Sequence, residues 1–239
     1  MTTPNPNPTI ELGTLAQWAG ATATFLVVLV ALFKDGVLRW WRRPKLTVSI
    51  SLASPDCHKT QMTYESQHNY LVADCYYLRL WVKNLGRTRA EQVQVFAEKL
   101  YQQGAGGSFK EIDRFLPMNL KWSHGHQLSG GPEIFAQGIS PQMGKHCDLG
   151  HIIDPQFRSF SGEDLADVPP NKTLLALDLE FLSATLSHLI SPGTYRLHLR
   201  VAAANSTPVP KTLEITVTGE WFKEQDRMFI EGLGIKVVQ

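Results

Sequence analysis

Residues 12–33 carry no charged side chain, and their centre reads ATATFLVVLVALF. About 20 such residues span a hydrocarbon core of about 30 Å as a helix. A helix is also the single-segment form that satisfies its own backbone groups in lipid. A transmembrane helix over 12–33 is therefore expected, in preference to the core helix of a soluble domain. A cleaved secretory signal needs a basic stretch ahead of its apolar one. Here residues 1–11 hold no Lys or Arg, whereas Lys34, Arg39, Arg42, Arg43 and Lys45 follow the run against the acid Asp35. By the positive-inside rule this order predicts an uncleaved single-pass anchor in the cell (inner) membrane. The short tail 1–11 lies outside, and everything after the helix lies in the cytoplasm.

The junction 34–44 reads as a membrane-interface segment. Trp40 and Trp41 suit headgroup depth, and Arg39, Arg42 and Arg43 suit anionic lipid. Pro44 ends any helix. Membrane lipid is thus an expected partner, with another protein as the second. Nucleic acid is not expected: 23 Lys+Arg against 22 Asp+Glu give a net charge of +1, and removing the basic junction leaves the remainder slightly acidic. A nucleic-acid domain would be clearly basic. A 43% hydrophobic content excludes a disordered chain, and three cysteines are too few for a disulfide framework.

Beyond Pro44 the dominant period is two. Leu46, Val48, Ile50 and Leu52 alternate with polar residues, as do Leu78, Leu80 and Val82, then Val93, Val95 and Ala97. The pattern returns at Leu175, Leu177, Leu179 and Phe181, at Tyr195, Leu197, Leu199 and Val201, and at Leu213, Ile215 and Val217. Weaker strands are expected over 114–122 and 145–153. Alternation of this kind means one wet and one buried face per strand, the pattern of antiparallel sheets packed as a sandwich. Gly-, Pro-, Ser-, His- and Gln-rich loops are expected at 54–69, 102–109, 123–142 and 154–172. The resulting organisation is an all-β, antiparallel sandwich over 45–219 behind one N-terminal transmembrane helix. A short helical tail over 220–239 follows, with Phe222, Met228 and Phe229 as docking residues.

Two stretches carry a family resemblance. Leu78-Arg79-Leu80-Trp81-Val82-Lys83-Asn84-Leu85-Gly86, with Ala90 and Val93-Gln94-Val95, resembles the strand, Asn-x-Gly turn and strand that open bacterial immunoglobulin-like modules of the CARDB-like group. Pro192-Gly193-Thr194-Tyr195-Arg196-Leu197, running on to Asn205, is similar to the penultimate strand of fibronectin type III-like domains. These resemblances imply an immunoglobulin-like sandwich with Tyr195 as a corner residue bonding back to backbone. The whole plan resembles bacterial single-pass membrane proteins, which implies no activity. The immunoglobulin-like families are mostly extracellular, which departs from the cytoplasmic topology expected here.

Candidate chemistry is sparse. His124, His126, His146, Cys147 and His151 are residue types that bind zinc, yet no Cys-x-x-Cys or His-Glu-x-x-His spacing joins them. No metal or other cofactor is expected. Cys57 and Cys75 read as core thiols, since a disulfide is disfavoured in a reducing cytoplasm. Glu163 and Asp164 read as solvated loop acids. Asp178 and Glu180 share a strand face, as do Arg196, His198 and Arg200, and would form a ladder if their strands were neighbours. Trp81 and Phe96 stand out among polar residues on the outward faces of consecutive strands. A hairpin through 84–89 would bring them onto one surface, to be covered by a long loop or the 221–232 helix or to serve as a partner-binding pair. The expected function is a membrane-tethered binding or scaffold module without catalysis. The alternatives are an anchored enzyme or metal-binding protein with its site in loops 123–142 and 154–172, or a surface adhesion-type domain if the topology is inverted.

Overall fold

The computed structural model describes residues 14–66, 69–123 and 136–238. It divides into two compact units, Met1–Arg43 and Pro44–Gln239. In the first, one helix, α1, covers Leu15–Arg42. It starts on a capping box in which the Thr14 amide donates to Gln17 Oε1 at 2.9 Å, so orphan amides of the first turn find partners. Its stretch Leu15–Lys34 has a mean hydropathy of 1.9 and is long and apolar enough to cross a membrane. The helix runs through the basic junction and stops where Arg43 turns extended, at φ −49° and ψ 143°, as a residue before proline must. The tail 1–11 lies outside the described residues, as do the side chains of Arg39, Trp40, Trp41 and Arg42.

The second unit is a two-sheet antiparallel β-sandwich. Its strands are β1 (Leu46–Ser49), β2 (Cys57–Ser66), β3 (Asn69–Asn84), β4 (Ala90–Gln103), β5 (Phe109–Glu111), β6 (Met118–Asn119), β7 (Ala136–Ile139), β8 (Gly144–Ile153), β9 (Leu175–Leu177), β10 (Leu189–Ile190), β11 (Gly193–Ala203), β12 (Ser206–Val217) and β13 (Leu233–Val237). One sheet has the order β1-β3-β8-β9-β10, with β2 beside β1 on the same edge of β3; the other has β13-β12-β11-β4-β5, with β6 and β7 also on β4. The alternating apolar residues read from the sequence form the core between them. Leu78, Leu80 and Val82 of β3, Val93 and Val95 of β4, Leu197 and Leu199 of β11, and Leu213 and Ile215 of β12 are all buried there.

Four expectations are corrected. The segment 54–69 is mostly strand: Thr60, Met62 and Tyr64 of β2 lie opposite Cys75, Ala73 and Leu71 of β3. Its polar composition concealed a hairpin that takes its order from β3. Turn 84–89 does not pair its flanking strands, because β3 and β4 belong to different sheets. Tyr195 does not bond back to backbone; its hydroxyl meets Ser191 Oγ at 2.8 Å and Gln102 Nε2 at 3.0 Å. The tail is helical only over 225–232, after which Leu233–Val237 adds a strand to β12. Met228 and Phe229 are buried as expected, and Tyr76 Oη ties the segment down by donating to Phe222 O at 2.7 Å.

Candidate functional site

The polar residues with chemical potential gather on the outer face of the β3–β8 sheet. That face is not open to solvent at its centre, because loop 154–172 folds over it. Arg158 organises the loop. Its buried guanidinium donates to Pro169 O and Lys172 O at 2.9 and 2.7 Å, and to Asp164 Oδ1 at 2.6 Å. Such a cation is tolerated only with its donors engaged. Val168 of the loop packs with Leu174, Ala176 and Leu189 in a second small core. This is why β9 is buried on both sides, where sequence alternation led to an exposed face.

Under this cover His151 sits between two carboxylates. Its Nδ1 lies 3.1 Å from Asp178 Oδ1 and its Nε2 lies 2.9 Å from Glu163 Oε1. Its ring stacks on Tyr77 at 5.7 Å. Burial pulls the imidazole toward neutrality, but its hydrogen bonds to Asp178 and Glu163, and their charge, outweigh it and raise its pKa to about 10. With a carboxylate oxygen facing each ring nitrogen, the geometry favours the imidazolium, whose two N–H groups would both donate. Tyr77 and Tyr64 are pushed upward by burial and then by the nearby carboxylates. His188 is pulled down by burial, and its Nδ1 and Asp178 Oδ2 have no hydrogen-bond partner among the described residues.

A second histidine pair lies further along β8. His146 Nε2 is 3.0 Å from Asp56 Oδ1, whose other oxygen accepts from the Ser51 amide at 3.0 Å. The two histidines share a face although they are five residues apart, because a bulge opposite Leu78 and Arg79 inserts Leu149. Such an insertion shifts the alternation by one. Trp81 packs on His146 with ring centroids 4.6 Å apart and lies over Gly144, where a Cβ would stand 2.5 Å from the indole. The tryptophan is half-buried by its own sheet.

The expected residues are therefore distributed as follows. His146 and His151 are each committed to different carboxylates. Cys147 points inward and donates to Lys121 O at 3.2 Å. His124 and His126 lie outside the described residues. Among the described residues no group of three or more His, Cys, Asp or Glu side chains is placed to hold a metal ion. Phe96 is on β4, opposite Arg200 of β11, so it and Trp81 lie on different sheets and share no surface. Glu163 is not a solvated loop acid, since Arg158 and Ser161 fold it back onto His151. Asp178 is separated from Arg196 and Arg200, which pair instead with Glu214 and Glu98. Sequence reading missed the Asp56–His146 and Asp178–His151–Glu163 groups because their members lie 90, 27 and 12 positions apart.

The arrangement ties Asp56, Glu163 and Asp178 to the two β8 histidines through carboxylate–imidazole contacts. Both ring nitrogens of His151 are engaged by carboxylate oxygens, at 3.1 and 2.9 Å. The three cysteines are buried free thiols; burial pushes Cys57 and Cys75 up to about 12 and Cys147 well above its usual value. A thiolate nucleophile is not available there. Neither family models, curated proteins nor solved structures give a match to this chain.

Proposed function

We propose that this protein is a membrane-anchored β-sandwich that acts as a binding or scaffold module rather than as an enzyme. The observation that carries the reading is the stretch Leu15–Lys34, an apolar helix with no residue buried. Such a surface is stable in lipid and costly in water. The Lys/Arg excess that follows it favours a cytoplasmic sandwich, and three free cysteines suit a reducing compartment. A tether raises the effective concentration of the module toward other membrane proteins. The engagement of His151, His146 and the thiols in the fold weighs against the enzymatic alternative.

Alkaline extraction of membranes from cells expressing the full chain, with a C-terminal epitope, tests this reading. The protein is expected in the pellet, with the epitope cut by protease only when the cytoplasmic side is exposed. Release into the alkaline supernatant contradicts the anchor. Cleavage from the exported side contradicts the topology and favours the adhesion-type alternative.

A further inference from the structure

The end of the sandwich at which β1 begins is built around one buried residue, Asn84, the Asn of the Asn-x-Gly turn. Its Oδ1 accepts from the Lys45 and Gly86 amides at 3.1 and 2.9 Å; its Nδ2 donates to Thr88 O and Ile139 O at 2.7 and 3.0 Å. Its own amide donates to Met143 O and its carbonyl accepts from Gln142 N, at 2.9 and 2.8 Å. Every hydrogen-bonding position of the side chain is used. Three separate segments, 43–46, 85–89 and 139–143, are thereby fixed into one surface.

That surface has a definite chemistry. Lys45, Arg87, Arg89 and Lys145 are exposed on it, against the acid Glu91. Among the described residues Lys45, Arg89 and Lys145 form no ion pair. The arginines and lysines on the outer face of the other sheet do: Arg196 and Lys236 pair with Glu214, and Arg200 pairs with Glu98. Between the basic residues stand two exposed apolar side chains, Leu85 at 49% and Met143 at 62%. Only residues 43–45 separate the last helical residue, Arg42, from β1.

We propose that this loop end, Lys45, Leu85, Arg87, Arg89, Met143 and Lys145, docks on the anionic lipid surface of the membrane that the helix enters. The inference rests on the anchored reading. Exposed cations attract anionic headgroups within a Debye length. Two apolar tips on an Asn84-fixed frame enter the interface without a folding step, so docking orders nothing further. The Asn-x-Gly turn, first noted as a fold signature, is on this view what sets the lipid-facing surface.

The full chain, reconstituted in vesicles, tests the proposal. Ser140→Cys at this end and Ser108→Cys at the opposite end are labelled with an environment-sensitive fluorophore. The native thiols are buried and react slowly. Vesicles are phosphatidylcholine alone or mixed with phosphatidylglycerol, each with a headgroup nitroxide lipid as quencher. Quenching at position 140 and not at 108 is expected in anionic vesicles. It should weaken about fivefold in the docking equilibrium for each of Lys45, Arg87, Arg89 or Lys145 changed to Gln, and high salt should weaken it in the unaltered chain. Equal accessibility at 140 in both lipids overturns docking, as does quenching indifferent to charge and salt. Shielding at 140 that needs added membrane proteins and brings no nitroxide quenching gives the face to a protein instead. A chain that fails to float with either vesicle overturns the anchored reading, and docking with it; a chain that floats without quenching overturns docking alone.

Discussion

The two outer faces of the sandwich use the same kinds of charged residue in opposite ways. On the β11–β4 face the charges stand in water: Arg196 with Glu214, Arg200 with Glu98 and Lys99 with Glu111 are cross-strand pairs whose basic members are about half exposed. On the β3–β8 face His151 is buried between Asp178 and Glu163, and loop 154–172 is folded over it. The exposed pairs exchange water for one another and gain little. The buried group has no water to fall back on, so each member depends on the others. Proximity of charges in a sequence is thus a poor guide to their worth; cover decides it.

The sharpest way to break this contrast is to remove the buried cation. His151→Leu leaves Asp178 and Glu163 buried without a counter-charge, and unfolding by urea is expected to show a loss of about 3–5 kcal/mol. Replacing Asp178 in the same chain by Asn should return part of that loss, because the two positions are coupled. A loss under about 1 kcal/mol would place His151 in the class of the surface pairs.

The pH dependence follows from the same geometry. Folding raises the His151 pKa from 6.5 to about 10, so the native state binds the proton more tightly than the unfolded chain. Its contribution is full below pH 6.5 and is lost as pH rises toward 10. The difference in stability between the natural chain and His151→Gln, a few kcal/mol at pH 6, should shrink steadily across that window. A difference that grows with pH contradicts a protonated native imidazole.

Trp81 belongs between the two extremes. It is half-buried over Gly144 and His146, and Trp81→Ala is expected to cost about 2 kcal/mol in thermal or urea unfolding. At the small end, Arg200→Ala should cost under about 1 kcal/mol and less again in high salt. A salt-insensitive loss of several kcal/mol there would erase the distinction between the faces.

The sandwich itself was legible in the sequence because each inward face is written in period two. Leu78, Leu80 and Val82 point inward whatever strand lies beside them. Pairing was less legible: the short turn 84–89 suggested a hairpin, but β3 and β4 follow different partners. The candidate site was hidden for a related reason. His151 shares a face with the Asp56–His146 pair only through a bulge at Leu149, and it meets Glu163 only through a loop folded by Arg158. Neither leaves a periodic signal. Asn84 was visible as a turn residue, yet its hold on segment 139–143 runs through Ile139, Gln142 and Met143, more than 50 positions away.

The claim that the histidine face holds the fold rather than performs chemistry is tested most directly by NMR titration of the imidazole nitrogens. At pH 8 His151 is expected to show two protonated nitrogens, with deprotonation only toward pH 10 and chemical shifts that respond to Asp178→Asn and Glu163→Gln. A neutral His151 at pH 8, titrating near 6.5 with a free nitrogen, would contradict the account and return the site to candidate acid–base chemistry.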